Sequence, residues 1–172
     1  RLLAEAGFPG GFESTLLVDA DRAHVAREIA RQLAVVGIRL GVEAQPWDEV
    51  FRRMLFGLAP AALSSTNVAT GHVSSLYESF LHSAGPDSIF GAENSARFSD
   101  PEVDGMVERA AASVPAGLRE ELLAAVRDRA LRDLPYVPLY SPDALYGVRT
   151  GIAFTPRLDR AVFATDLRRA SR

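Results

Sequence analysis

A run of small polar side chains over residues 64–80, SSTNVATGHVSSLYESF, is the part of this 172-residue sequence best suited to bind a polar ligand. Asn67, Thr70 and His72 supply an amide, a hydroxyl and an imidazole in close succession. Such groups hydrogen-bond polar solutes, although a solvated surface loop can have the same composition. We therefore treat this polar run as the candidate site and ask which elements position it.

Motifs for catalysis and for cofactor binding do not fit the sequence. A nucleophile elbow requires the pattern G-x-S-x-G, but Val73 stands two residues after Gly71, and no glycine follows Ser74 at the required offset. The histidines are His24, His72 and His82. Their spacing does not form a metal-ligand motif, and no glycine-rich phosphate-binding motif occurs. We predict a protein that is not an enzyme and that uses no cofactor or metal ion.

The overall charge argues against nucleic acid as a partner. The chain has 19 basic and 22 acidic residues, a net charge of −3 and a pI near 5.6. Nucleic-acid binding relies on a positive surface that neutralises phosphates, so we expect no nucleic-acid partner. The sequence contains no cysteine, which excludes disulfides and thiolate nucleophiles.

Strand and helix patterns alternate before the polar run. Residues 12–19 (FESTLLVD) and 38–45 (IRLGVEAQ) are rich in β-forming residues, which predicts two strands. A helix is predicted between these strands from the apolar stripe of Ile29, Leu33 and Val36. Asp21 is the predicted N-cap of this helix, because its carboxylate can accept a free backbone N–H of the first turn.

A second helix and a third strand are predicted next. Pro46 precedes the amphipathic segment WDEVFRRMLFG, and the apolar segment APAALSS at residues 59–65 predicts a short strand. This order indicates an α/β fold with a mixed, mostly parallel sheet flanked by helices. Ligands of such sheets bind beyond the carboxyl ends of the strands, where the polar run begins. Trp47, just after the second strand, is a further candidate to line a cleft.

The second half of the sequence predicts a helical hairpin. The first helix has Asp100 or Ser99 as a cap and Pro101 in its first turn. The second helix carries apolar residues at four-residue intervals, namely Leu118, Leu122, Val126 and Ala130. Prolines in residues 135–151, PYVPLYSPDALYGVRTG, exclude a central strand, and we predict an edge or connecting strand, a turn and another short strand.

Five segments together resemble a known family. They are RLLAEAGFPGGFESTLLV, IARQLAVVGIRLGVEAQPWDEVFRRM, ARFSDPEVDGMVERA, LPYVPLY and RTGIAFTPRLD. In order and spacing they are similar to the C-terminal part of the family 5 solute-binding proteins, which serve peptide and nickel ABC transporters. The resemblance extends over almost the whole chain.

The resemblance implies a two-lobed receptor, periplasmic or otherwise extracytoplasmic, that closes on a small solute or oligopeptide and delivers it to the permease subunits of an ABC importer. Residues 1–172 correspond to a single α/β lobe with a periplasmic-binding-protein-like fold, as a C-terminal fragment of the receptor. The missing N-terminal lobe of the same chain is then a partner, and an N-terminal lipoprotein segment is one possible membrane anchor. A hinge or return segment is expected near residues 135–150.

The resemblance also bears on the ligand. Family members commonly carry a Trp-Gly pair and an Asp in the corresponding loop, and in peptide binders this carboxylate can pair with the ligand's α-amine. The closest match here is TGHVSS at residues 70–75, in which His72 replaces the aspartate and no Trp precedes it. A carboxylate forms charge-assisted hydrogen bonds with an ammonium, whereas histidine is neutral or positive near neutral pH. We therefore expect an acidic, N-blocked or different solute and not a free-amine peptide.

The leading hypothesis is a binding lobe without catalysis. The predicted ligand-binding residues are Trp47, Asn67, Thr70, His72 and Arg97. One alternative is the ligand-sensing domain of a transcriptional regulator, with a DNA-binding region upstream. A second alternative is a degenerate esterase that uses Ser74 or Ser75.

Overall fold

Two packing units, each with its own hydrophobic core, make up the described part of the chain. The computed structural model describes residues 1–68, 70–86, 88–157 and 159–170. Unit 1 contains residues 1–66 and 95–97, and unit 2 contains residues 67–94 and 98–172. Within the described ranges, no helix combines the length and apolar character needed to cross a bilayer.

Unit 1 is a three-stranded parallel sheet with helices. Its elements are α1 (Leu2–Glu5), β1 (Phe12–Asp19), a 3-10 turn (Ala20–Arg22), α2 (Ala23–Ala34), β2 (Ile38–Gln45), α3 (Trp47–Leu55) and β3 (Ala61–Leu63). The strand order is β2-β1-β3, and β1 pairs in parallel with both neighbours. The α/β fold and the mostly parallel sheet predicted from the sequence are therefore confirmed.

The central strand β1 is buried on both faces. One face packs against α2 in a core formed by Leu16, Val18, Ala23 and Ala26. Leu17 points to the opposite face because side chains alternate along a strand, and it is fully buried. On α3, which packs against β1, Val50 is also fully buried. Each such side chain stabilises the fold by about 1.5–3 kcal/mol relative to an exposed one, so β1 fixes the position of its neighbours.

Two details of α2 differ from the sequence prediction. Asp21 lies within the 3-10 turn, and α2 begins at Ala23 without a side-chain cap, so the predicted N-cap is wrong. The helix ends at Ala34, and Gly37 adopts a φ of 94° before β2. Val36 consequently lies outside the helix and is exposed, because the turn into β2 directs it away from the core.

At the amino ends of β1 and β2, two glycines bring the backbones into close approach. Gly11 has a φ of 79°, and a Cβ at this position would lie 1.9 Å from the carbonyl oxygen of Gly37. The same oxygen accepts the backbone N–H of Phe12 at 3.1 Å. Gly11 therefore permits the first hydrogen bond of the β1–β2 pair.

We expect Gly11→Ala to destabilise the chain by about 2 kcal/mol or more, because the methyl group would force the two backbones apart and strain the φ angle. Gly10→Ala is the matched control, since nothing lies within 4 Å of a Cβ there. It should change stability by less than about 0.5 kcal/mol. Urea unfolding followed by circular dichroism measures both. Equal losses in the two variants would contradict this role of Gly11.

Unit 2 is built on helices. Its elements are α4 (Ser74–Phe80), α5 (Pro101–Ala112), α6 (Ala116–Asp133), β4 (Ile152–Phe154), a 3-10 turn (Ala164–Asp166) and β5 (Leu167–Arg169). Strands β4 and β5 form a small antiparallel pair. Helices α5 and α6 pack together, which confirms the predicted hairpin. Its core consists of Tyr77, Leu81, Val103, Val107, Ala110, Leu123, Val126 and Ala130.

The helix predicted from Leu118, Leu122, Val126 and Ala130 is confirmed as α6, in which Leu118 is 48% exposed and Leu123 is buried. The prediction of strands in residues 135–151 is wrong. Residues 135–151 contain no strand, and the next strand, β4, begins at Ile152. Prolines in this segment supply no N–H for a strand ladder, which accounts for the absence of pairing.

Asp100 connects the two hairpin helices. It is the N-cap of α5, where its side chain accepts the backbone N–H of Glu102 at 2.9 Å. It also accepts the Nε–H of Arg129 on α6 at 2.6 Å. Although Asp100 is only 8% exposed, the hydrogen bond from Arg129 lowers its pKa, and the Glu102 N–H acts in the same direction. Asp100 thus holds the start of α5 against α6.

We expect Asp100→Ala to lose about 1–2 kcal/mol of stability, because the cap and the ion pair are both removed. Asp100→Asn should lose less, since asparagine is an equally good cap. The lowered pKa means that the stabilising charge is present above about pH 3.9, the unfolded value, and is lost as pH falls through the folded value. Denaturation between pH 2 and 7 checks this. An Asp100→Asn variant with an unchanged acid profile would contradict the assignment.

Candidate functional site

The polar run begins at the carboxyl edge of the parallel sheet. Asp19 at the end of β1 lies beside Gln45 at the end of β2, and Val18 lies beside Leu63 at the end of β3. Ser64 follows directly. The run leaves unit 1 after residue 66 and continues in unit 2. The sheet topology thus delivers the start of the polar run to the edge where α/β proteins bind ligands.

In unit 2, hydroxyl groups hold the backbone of His72. The Thr70 hydroxyl donates to the His72 carbonyl oxygen at 3.1 Å and accepts the His72 N–H at 3.3 Å. The Ser75 hydroxyl donates to the same carbonyl at 3.2 Å and lies 3.0 Å from the Thr70 hydroxyl. Gly71 has a φ of 69°, which allows the tight turn between them. These contacts fix the direction in which the His72 side chain leaves the loop.

The His72 imidazole bridges the polar run and helix α6. Its Nδ1 accepts the Ser74 backbone N–H at 3.3 Å and lies 3.0 Å from the Ser74 hydroxyl. We therefore place the ring proton on Nε2, which donates to Glu120 Oε1 at 3.0 Å. The side chains of His72 and Glu120 are 41% and 63% exposed, so a ligand can reach both.

This arrangement favours binding over acyl transfer. A serine, a histidine and a glutamate in contact resemble the groups of a hydrolase, in which backbone N–H groups must also stabilise an oxyanion. Here the Ser74 N–H donates to the His72 imidazole, so it is not free to stabilise an oxyanion. The described residues likewise contain no group of three or more His, Cys, Asp or Glu side chains that could hold a metal ion.

The other predicted ligand-binding residues have separate partners. Asn67, in unit 2, donates through Nδ2 to the carbonyl oxygen of Asp159 at 2.9 Å. Trp47, in unit 1, is the first residue of α3, is partly exposed and has its ring 5.7 Å from that of Phe51. Of the five predicted residues, only Thr70 and His72 belong to one hydrogen-bond network in the described part of the chain.

Arg97, in unit 1, supports helix α3. It has a φ of 53° and donates through Nη2 to the carbonyl oxygen of Phe56 at 3.0 Å, just beyond the end of the helix. Gly57 has a φ of 65°, which favours glycine, and a Cβ there would lie 2.5 Å from the guanidinium, which would have to move. A contact between Arg97 and a ligand, expected from the sequence, stays a prediction.

Sequence reasoning missed Glu120. It lies 48 residues after His72, on a helix interpreted only through its apolar stripe, and no local spacing signals the contact.

No family model and no curated protein matches the sequence. Solved structures do match. The peptide-bound periplasmic binding protein DppA from Helicobacter pylori has a TM-score of 0.72 and 24% identity, covering 80% of this chain and 27% of its own. AgaA from A. tumefaciens R10, in complex with agropinic acid, has a TM-score of 0.65 and 25% identity over 78% and 27%. NikA from Staphylococcus aureus, with Ni(L-His)2, has a TM-score of 0.67 and 15% identity over 78% and 29%.

The chain therefore spans about a quarter of the length of the structures that it matches. The matches include peptide-binding and other solute-binding proteins of ABC transporters, in agreement with the family that the sequence resembles. This chain has the α/β fold of one part of the periplasmic solute-binding proteins, and its resemblance to family 5 is confirmed at the level of the fold.

Proposed function

We propose that this chain is a ligand-binding lobe of an extracytoplasmic solute receptor that serves an ABC importer. The shared fold carries the proposal, because the matched proteins are bound to a peptide, to agropinic acid and to Ni(L-His)2. One fold thus accommodates chemically different solutes. The role that we assign is to bind a solute and deliver it to a permease, without catalysis.

We assign residues 1–172 to one lobe of such a receptor, with residues 135–150 as its hinge or return segment. The match to DppA covers 80% of the chain, which is more than either packing unit contains, and this supports a single lobe. Residues 135–150 lack helices and strands and include three prolines, which restrict the backbone. A stiff connector of this kind suits a rigid-body closure of two lobes.

In this proposal the polar run contacts the solute. Thr70 and Ser75 fix the loop, so that the His72–Glu120 pair is presented at little entropic cost. Asn67 would contribute an amide, and Trp47 and Arg97 would line the cleft. Because His72 stands where peptide binders of the resembled family carry a carboxylate, an acidic or N-blocked solute suits the loop better than a free amine.

Location and ligand binding test the proposal together. Intact mass and N-terminal sequence would be determined on the protein from the extracytoplasmic and soluble fractions of its native cells. The purified chain would then be screened by thermal shift against dipeptides, N-acetyl dipeptides, dicarboxylates and sugars. We expect an exported protein with at least one stabilising solute. A solute at 100 times its dissociation constant adds about 2.7 kcal/mol. A protein confined to the cytoplasm that no solute stabilises would contradict the proposal.

We expect His72→Asp to increase affinity for a free-amine dipeptide about tenfold, because a carboxylate forms a charge-assisted hydrogen bond with the ammonium. The same variant should leave affinity for the N-acetylated dipeptide unchanged. Isothermal titration calorimetry on the 172-residue chain, and on any longer chain that the gene encodes, measures both. The control is His24→Asp, a change at an exposed histidine on α2. An affinity for the free-amine dipeptide that is the same in His72→Asp as in the wild type would remove the assigned amine position.

A further inference from the structure

A loop at residues 82–91 of unit 2 closes on itself beside helix α5. Gly91 has a φ of 73°, and a Cβ there would lie 2.7 Å from the carbonyl oxygens of both His82 and Ser83, so the two ends of the loop touch. The Gly91 N–H donates to the carbonyl oxygen of Glu78 on α4 at 2.7 Å, which attaches the end of the loop to unit 2. Compact surface loops whose ends lie together are frequently functional. None of these loop residues belongs to the polar run.

His82 attaches the start of the loop to α5. It is buried, and its ring packs against that of Phe90 with 4.9 Å between the ring centroids. Its Nε2 lies 3.2 Å from Glu108 Oε1, and its Nδ1 lies 2.8 Å from the Ser83 carbonyl oxygen. Asp104, one helical turn before Glu108, accepts the Ser83 N–H at 2.8 Å. The loop and the Glu108 carboxylate are therefore held in fixed positions relative to each other.

The loop and α5 together form an open cavity of about 520 Å³. Its described lining residues are Gly85, Pro86, Ser88, Ile89, Phe90 and Glu108. Ile89 is 87% exposed although it is apolar, and the Glu108 side chain is 59% exposed. A volume of this size is within the range of small-molecule sites, which combine apolar walls with a few polar groups.

The charge of the cavity selects the kind of ligand. Glu108 is the ionisable group among the described lining residues, and Asp104 lies one turn away on α5. Even a protonated His82 balances only one of these two carboxylates. Residues 82–91, HSAGPDSIFG, contain no arginine or lysine. Arg109 follows Glu108, but adjacent helical residues do not face each other, and its guanidinium donates to a carbonyl oxygen of its own helix. A complementary ligand carries a positive charge on an apolar body.

We propose that this cavity binds a small organic cation, with its ammonium group on Glu108 and its apolar body against Ile89 and Phe90. The contact with His82 recorded among the described residues engages Glu108 Oε1, which leaves Oε2 to accept a charge-assisted hydrogen bond from the ligand. An aromatic ring in the wall adds a cation–π attraction, and binding removes the exposed Ile89 side chain from water. The site goes beyond the proposed function, because it requires neither the polar run nor a permease.

The test is a solution NMR titration of the 172-residue chain at pH 7 and constant ionic strength. The probes are benzylammonium and its neutral isostere benzyl alcohol. The reporters are the backbone amides of Ile89 and Gly91 and the Cε1–H of His82. Benzylammonium should shift these resonances saturably, and benzyl alcohol should bind about tenfold more weakly, because it forms no charge-assisted hydrogen bond. Equal affinities for the two probes, or no saturable shift with benzylammonium, would overturn the proposal.

A variant of Glu108 tests the charged group. Glu108→Gln should weaken benzylammonium binding about tenfold, because the carboxylate is lost. The fold should be retained, since the glutamine amide oxygen can still accept from His82. Glu121→Gln removes an exposed carboxylate from α6 and should leave binding unchanged. Benzylammonium binding of wild-type strength in Glu108→Gln would refute the assigned contact.

A variant of Ile89 tests the apolar wall. Ile89→Ser should weaken benzylammonium binding about threefold or more, because apolar area buried by the ligand is lost. The fold should not depend on this side chain, which is exposed. The matched control is Leu145→Ser, at an apolar residue of unit 2 that is 93% exposed, and it should leave binding unchanged. Equal weakening in both variants would contradict a site in this cavity.

Failure of this inference differs from failure of the proposed function. If a solute of the panel stabilises the chain but benzylammonium does not bind, the receptor role stands and the cation site falls. If Glu108→Gln weakens benzylammonium binding but no solute of the panel stabilises the chain and the protein is cytoplasmic, the cation site stands and the receptor role falls.

Discussion

The burial of β1 on both faces is the constraint on which unit 1 depends. Leu16 and Val18 pack on α2, while Leu17 fills the opposite face, so β1 cannot shift by one residue without exchanging its two apolar sides. The parallel register with β2 and β3 then follows, and with it the common edge where the three strands end. Asp19 lies at this edge because the preceding residues are fixed. A central strand therefore determines where the polar groups of unit 1 are presented.

In unit 2, polar side chains join the helices around the hydrophobic core. Asp100 caps α5 and pairs with Arg129 of α6, and Arg129 keeps the pKa of Asp100 low despite its burial. Asn94 is buried and fixes the preceding loop, since its amide donates to the carbonyl oxygens of His82 and Phe98 and its oxygen accepts the Phe98 N–H. An unpaired polar group in such a position would cost about 1–3 kcal/mol, so each partner is required.

The elements of regular period could be predicted from sequence, whereas the contacts between them could not. Strands 12–19 and 38–45 have the predicted bounds, because β-rich segments bounded by glycine and proline leave few alternatives. The repeat of Leu118, Leu122, Val126 and Ala130 predicted α6 but not which of its apolar side chains are buried, because several registers of an apolar stripe fit a long helix equally well. In the candidate site, the composition of the polar run indicated Thr70 and His72. Its partner Glu120 and the bridge from Arg22 to Ser65 join residues 48 and 43 positions apart, which no local pattern encodes.

The Asp19–Arg22 and Glu120–His72 clusters rest on the same kind of interaction, which differs in strength between them. In each, a carboxylate orients a nitrogen donor: Asp19 holds Arg22, and Glu120 holds His72. The Asp19 side chain is almost wholly buried, so its interaction with Arg22 is little screened by salt, and the guanidinium is held in place. Glu120 is exposed, and a pair between exposed groups contributes little and weakens with ionic strength. The Asp19–Arg22 pair should therefore persist at high ionic strength, whereas the His72–Glu120 pair should weaken.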